Sequence, residues 1–194
     1  MTRIVSGFAG SLRLAVPRSG TRPTSDRVRE AIFSALDARD AIAGAEVLDL
    51  YAGSGALGLE AASRGAASVV LVERNPAAAA VCRRNAEAVV SAAGSARRPR
   101  VRVATAPVQA FLDAGGAPVD LVFIDPPYDL DEPDLARVLA ALVPHLADAA
   151  TVVIERSTRS PQPTLPAGLE LERERRYGET VLWWLQPATP SQPA

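Results

Sequence analysis

At 194 residues the chain is long enough for one α/β domain with a sizeable core, and a 48% hydrophobic content excludes a disordered chain. No apolar run approaches the roughly 18 residues of a membrane span, and the first residues lack the apolar centre of a signal peptide, so a cytoplasmic protein is expected. One cysteine, Cys82, excludes an internal disulfide and reads as a small core residue; with a single histidine, His145, no Cys/His set has metal-ligand spacing.

The net charge of −1 hides an uneven distribution. In residues 1–34 six arginines (Arg3, Arg13, Arg18, Arg22, Arg27 and Arg29) face two carboxylates, Asp26 and Glu30, so this segment carries +4 and the remaining 160 residues −5. A basic arm on an acidic body suits a polyanionic partner.

Residues 3–16 hold two short apolar stretches around Gly7-Phe8-Ala9-Gly10 and read as a small hairpin that must lean on another element. Pro17 to Pro23 is a basic loop. Thr24 or Ser25 then caps a helix whose Val28, Ile32, Ala35 and Leu36 share one face, with Arg27 and Arg29 expected to point away from it. From Glu46 onward strands and helices alternate. Strands are expected at residues 47–50, Ser68–Val72, Val101–Ala104, Val119–Ile124 and Thr151–Ile154. Helices are expected at Ala56–Ser63, from Pro76 to about Val90, at Pro107–Leu112 and at Glu132–Leu142. Leu169–Tyr177 and Thr180–Leu185 flank Gly178-Glu179 as a closing hairpin that carries Trp183 and Trp184 in its packing. Such alternation specifies a doubly wound, mostly parallel Rossmann-like sheet with a C-terminal antiparallel hairpin and a small N-terminal hairpin and helix. The division expected is an extension at 1–44, the main domain at 45–186 and a disordered tail at 187–194.

Gly53-Ser54-Gly55-Ala56-Leu57-Gly58 fits G-x-G-x-x-G between a strand and a helix, and Glu73 follows Gly53 by 20 residues at the end of the next strand. That context favours a nucleoside cofactor at the carboxyl ends of the strands, with Glu73 on the ribose hydroxyls. Asp49 precedes the loop. A carboxylate there would repel a pyrophosphate but attract the ammonium and sulfonium of S-adenosylmethionine, so the charge sign favours that donor over NAD. Asp49 can also bond the backbone amides of the loop, and the two roles are compatible.

Asp125-Pro126-Pro127-Tyr128 ends the fourth of these strands. The prolines stop the ladder and leave a carboxylate, carbonyl oxygens and an aromatic ring at its tip. Carboxylate and carbonyl can each accept one hydrogen of an NH₂ group while the ring stacks on the base that carries it. Alone, the tetrapeptide serves equally as a strand-to-loop turn.

With Asp49 to Gly55, Glu73 and Asp125 to Tyr128 in place, the chain resembles the class I S-adenosylmethionine-dependent methyltransferases. Arg3-Ile4-Val5-Ser6-Gly7, Arg22-Pro23-Thr24-Ser25-Asp26-Arg27-Val28-Arg29-Glu30 and Gly53 to Gly65 make it more closely similar to the RsmD family of 16S ribosomal RNA guanine-N2 methyltransferases. The resemblance implies S-adenosyl-L-methionine held by Asp49, Tyr51, Gly53, Gly55 and Glu73. It further implies methyl transfer at Asp125, Pro126 and Tyr128, and RNA contacts from Arg3, Arg22, Thr24, Arg27 and Pro127. The expected partner is 16S ribosomal RNA within the small subunit or an assembly intermediate, met by a monomer without metal. One departure is Ala104-Thr105-Ala106-Pro107, where related enzymes often carry Asp or Asn toward the adenine amino group; that contact is left to backbone atoms or Thr105.

Other readings stay open at this stage. The pocket chemistry also fits adenine-N6 methylation of DNA, although 194 residues leave little room for a target-recognition domain. A non-catalytic RNA-binding assembly protein is a further alternative, whereas Asp49 opposes an NAD-dependent oxidoreductase. Asp131 reads as a helix cap rather than a metal ligand, and Arg97, Arg98, Arg100 and Arg102 as a loop that either touches RNA or is solvated.

Overall fold

The computed structural model describes residues 2–17, 25–94 and 98–189. Two short strands, β1 (Thr2–Arg3) and β2 (Arg13–Leu14), pair antiparallel and lead to helix α1 (Asp26–Asp37). The body follows as β3 (Glu46–Leu50), α2 (Ala56–Ser63), β4 (Ser68–Val72), α3 (Pro76–Ala92), β5 (Arg100–Ala104), α4 (Val108–Asp113), β6 (Val119–Ile124), α5 (Glu132–Leu142), β7 (Leu146–Ser157), β8 (Leu169–Tyr177) and β9 (Thr180–Pro187). The sheet order is β5-β4-β3-β6-β7-β9-β8, parallel through β7 and antiparallel for the last two strands. This is the doubly wound sheet with a terminal hairpin that the alternation implied.

The period of two along each strand sorts its side chains between two faces. On β6, Leu121 and Phe123 join a cluster with α1, α2, α3 and the N-terminal arm, while Val122 and Ile124 join α4 and α5. Trp184 and Trp183 divide in the same way, one to each face. Each large apolar side chain so buried contributes about 1.5–3 kcal/mol.

The register fixes the site. Leu50, Val72 and Ile124 lie in one row, since Leu50 pairs with both Val72 and Ile124. The residues that follow them, Tyr51, Glu73 and Asp125, therefore emerge side by side at the carboxyl edge.

Three expectations need correction. Arg29 does not point away from the apolar stripe: it is fully buried, donates to the Arg3 carbonyl at 2.8 Å and pairs with Asp26 at 2.6 Å. The arm needs that anchor, because a two-strand hairpin has too little of its own to bury. Strand β7 runs well beyond residues 151–154: it begins with the weak strand formers Leu146–Ala150, beside a register shift between Val119 and Leu121, and ends in charged residues that pair with β9. Strand β9 likewise continues to Pro187, two residues past the expected end.

The rest of the arm leans on α2. Buried Glu60 accepts from the backbone N–H of Val5 at 2.6 Å and of Ser6 at 2.9 Å, and Ser63 Oγ accepts from Ala9 N–H at 2.9 Å. Gly7 permits this approach, since a Cβ there would stand 1.9 Å from the Ser63 carbonyl oxygen. Ser25 caps α1 by accepting from Val28 N–H at 3.2 Å, and Asp131 caps α5 by accepting from Asp134 N–H at 2.8 Å, each satisfying an orphan helix donor. No described helix is long and apolar enough to cross a membrane.

Candidate active site

Between β3 and α2 the chain must turn sharply, and Tyr51, Gly53 and Gly55 all take positive φ (64°, 56° and 80°). Glycine at 55 is required twice over. Its left-handed backbone disfavours a side chain, and a Cβ would meet Cys82 Sγ at 2.9 Å. Cys82 is therefore packing beneath the loop, and burial raises its thiol pKa, keeping it protonated.

Glu73 braces the loop from the neighbouring strand. Its Oε2 accepts from Gly53 N–H at 3.0 Å and its Oε1 from Asn75 N–H at 2.7 Å, so the carboxylate is held before any ligand arrives. Asp49 lies behind the loop and is 1% exposed. Its Oδ2 accepts from Gly58 N–H at 2.9 Å, while Oδ1 is buried without a hydrogen-bond partner. Burial, with the charges of Asp125 and Glu73, pushes this carboxyl up to about 7, against the pull of the Gly58 hydrogen bond.

Two cavities adjoin the end of β6. One, of about 590 Å³, is walled by Tyr51, Gly53, Glu73, Asn75, Val108 and Pro127, with Ala15, Val16 and Pro17 of the arm closing it. The other, of about 660 Å³, is walled by Pro126, Tyr128, Arg156, Arg159 and Tyr177, with hydroxyls from Ser25, Ser157, Ser160 and Thr180. Asp125 belongs to both. The tetrapeptide is thus a partition, with Pro127 on one side and Pro126 and Tyr128 on the other. Tyr128 is 77% exposed, so its ring takes no part in the core. Tyr51 is half-buried on the first cavity's wall, and burial pushes its phenol up to about 12.

The first cavity fits S-adenosylmethionine on its own chemistry. Glu73 and Asp125 line it and both act on the carboxyl of Asp49 behind the loop, whose buried Oδ1 has no hydrogen-bond partner. A cationic ligand relieves that repulsion, and an anionic pyrophosphate aggravates it. Arg74 and Arg84 add positive charge to the same wall, which suits the carboxylate of a zwitterion.

A family model described as Conserved hypothetical protein 95 matches residues 2–186. Ribosomal RNA small subunit methyltransferase D of Escherichia coli is 38% identical over 180 residues, covering 92% of this chain and 86% of that protein. The chain belongs to the RsmD family of S-adenosylmethionine-dependent methyltransferases. The Haemophilus influenzae protein of the same name is 31% identical over 91% of the chain and 89% of its own length. Among solved structures, the Escherichia coli protein yhhF superimposes with a TM-score of 0.81 at 33% identity, over 97% of this chain and 98% of that one. A Thermus thermophilus protein superimposes with a TM-score of 0.77 at 33% identity, over 96% and 99%. As an RsmD-family member, this chain is an enzyme that uses S-adenosyl-L-methionine as methyl donor.

Of the residues expected at the site, Tyr51, Gly53, Glu73, Asp125, Pro126, Pro127 and Tyr128 line the two cavities. Asp49 and Gly55 lie behind the loop. Arg3 and Arg27 are exposed on β1 and α1, away from both linings, and Arg22 and Thr24 lie outside the described residues, as do Arg97 and 190–194. Thr105 accepts a hydrogen bond from the Arg83 guanidinium. Arg100 pairs with Glu46 at 2.8 Å and Arg102 covers the Phe111 ring at 5.6 Å. Sequence reasoning missed Arg156. It donates to the Leu130 carbonyl at 3.1 Å and to Glu132 at 2.9 Å, holding the loop after Tyr128 from the side of the second cavity. Its signal was an arginine at the end of an otherwise apolar strand. His145 is buried with Nε2 2.9 Å from the Leu112 carbonyl and serves packing.

Proposed function

We propose that this enzyme methylates the exocyclic N2 of a guanine in 16S ribosomal RNA, within the small subunit or an assembly intermediate, in the cytoplasm. The observation that carries the reading is the position of Asp125 on the wall shared by the two cavities. When bound in the first cavity, S-adenosylmethionine supplies an electrophilic methyl group. Every other task falls to the chain.

An exocyclic amine is a poor nucleophile because its lone pair is delocalised into the ring. The Asp125 carboxylate and the Pro126 carbonyl accept one amine hydrogen each, which favours a pyramidal nitrogen and directs its lone pair toward the first cavity. The same two acceptors stabilise the positive charge that develops on nitrogen. The proton is then lost to Asp125 or to water, a step that needs no strong base. Tyr128 stacks on the base, which must be unpaired or extruded to reach it. The arginines and hydroxyls of the second cavity suit the flanking sugar and phosphates.

Radiolabelled S-adenosylmethionine would be offered with small subunits, naked 16S RNA and duplex DNA, each from cells lacking the enzyme. Label recovered as N2-methylguanine at one site in the RNA is the expected result. Label confined to DNA adenine, or none in any arm, would sink the reading.

A further inference from the structure

Asn85 occupies a place that its helix otherwise gives to apolar side chains. The buried residues of α3 are Ala78, Ala79, Cys82, Asn85, Ala86 and Val89, a helical stripe with one amide in it. That amide is 4% exposed. Its Nδ2 donates to the Ala15 carbonyl at 2.9 Å and to the Ser54 carbonyl at 2.8 Å, and its Oδ1 accepts from Ala15 N–H at 2.9 Å. Both amide hydrogens and the oxygen are therefore committed to two backbone segments far apart in sequence.

Both segments border the donor cavity, one through Ala15 and the other through Gly53. The pairing of β1 with β2 stops at Thr2 and Leu14. Ala15, the next residue, finds in Asn85 the acceptor and donor that a neighbouring strand would have presented. With Val16 and Pro17 it forms part of the donor cavity's wall. Ser54 lies between the two loop glycines, next to Gly53, whose N–H is already aimed at Glu73. An apolar side chain would suit the stripe but would leave the Ala15 N–H and the Ala15 and Ser54 carbonyls without these partners, so it is the two backbone segments rather than helix packing that call for an amide here.

We propose that Asn85 is a positioning residue for the methyl donor: its side-chain amide ties the N-terminal arm to the glycine loop, so that the arm stands as a preformed wall of the donor cavity. Without it, the wall must be ordered at the moment of binding, and affinity falls by the cost of that ordering. The effect resides in donor binding, because Asn85 is itself in neither lining and acts through Ala15, which lines the donor cavity alone. Donor binding requires no acceptor, so the test below stands even if the guanine reading fails.

Two variants of the full chain separate positioning from packing. Asn85→Leu keeps the branched outline, with a larger volume, and removes all three hydrogen bonds; Ala15→Pro removes one N–H from an exposed arm residue and leaves the core intact. Calorimetric titration with S-adenosylmethionine is expected to show about tenfold or greater weakening for Asn85→Leu and a smaller weakening for Ala15→Pro. In turnover, the KM for the donor rises while kcat at saturating donor stays within about twofold. Limited trypsin digestion reads the arm directly. Cleavage at Arg13 and Arg18 is slowed by donor in the wild type and no longer slowed in Asn85→Leu. Wild-type donor affinity in both variants overturns the proposal. So does a loss confined to Asn85→Leu and accompanied by a lower melting temperature, which assigns the residue to helix packing.

Discussion

The two cavities on either side of Asp125 are built in opposite ways. The donor side is prepared in advance. Its loop is set by glycines with positive φ, its carboxylates are held by backbone N–H groups, and one buried oxygen of Asp49 stands ready without a partner. The acceptor side is assembled from α1's cap, the tip after β6, the end of β7 and the β8–β9 turn, and it presents an exposed tyrosine with arginines and hydroxyls. A small cofactor of fixed shape rewards a rigid receptor, because less freedom is lost on binding. A base swung out of a large RNA rewards an open, adaptable face whose specificity is shared with contacts farther out.

The partition itself is where the difference breaks hardest. Asp125→Ala is expected to lower kcat by about 10²–10⁴-fold, read as labelled methyl incorporated at saturating donor. A variant that retains most of its rate would remove Asp125 from the chemistry. Detaching the arm comes next. Glu60→Ala leaves the Val5 and Ser6 N–H groups and the Arg64 guanidinium without their buried acceptor, and urea unfolding should register a loss of about 3 kcal/mol. An unchanged midpoint would mean that the arm is not fastened through α2.

A smaller effect should fall on one side only. Tyr128→Ala, at a 77% exposed position, leaves stability within about 0.5 kcal/mol and donor affinity unchanged. Loss of stacking weakens binding of the acceptor RNA by about 10–100-fold in a filter-binding titration. Weakened donor binding would instead show that the ring belongs to the other cavity.

The smallest effect concerns pH and the donor side. The Asp49 carboxyl is held near 7 in the folded protein, far above its unfolded value. Below about pH 4 both states carry the proton and the group is neutral in its effect; as pH rises to about 7 the folded state holds a proton that the unfolded state has lost, so stability falls. Melting curves of the ligand-free protein should show the wild type losing of order 2 kcal/mol more than Asp49→Asn between pH 5 and pH 8. The same substitution weakens S-adenosylmethionine binding, since the charge that opposes folding is the charge that attracts the donor. Parallel pH dependence in the two proteins would show that Asp49 is ionised without penalty.

The donor side was the more legible half for a local reason. Gly53 to Gly58, Asp49 and Glu73 form a strand–loop–helix–strand unit within one stretch of chain, where turn geometry and charge sign can be read from residue types alone. Asp125–Tyr128 was equally visible because two prolines mark a strand's end. Arg29 misled: two arginines flanking a valine looked alike, yet one sits in water and the other is buried under the arm. Arg156 shows in the sequence only as a charge after an apolar strand and Asn85 only as an amide in an apolar stripe, and neither pattern names its partner, since each acts on backbone that is remote in sequence.

The sequence by itself determined the sheet, its carboxyl-edge loop, the partition tetrapeptide and the kind of donor, because hydrophobic period, turn residues and charge are properties of short segments. Only the tertiary structure decided that the arm walls the donor cavity, that Asp125 is shared between two cavities, and which arginine is anchored rather than offered. Those depend on register and on hydrogen bonds between segments tens of residues apart, and no local pattern encodes which distant carbonyl a buried side chain will meet.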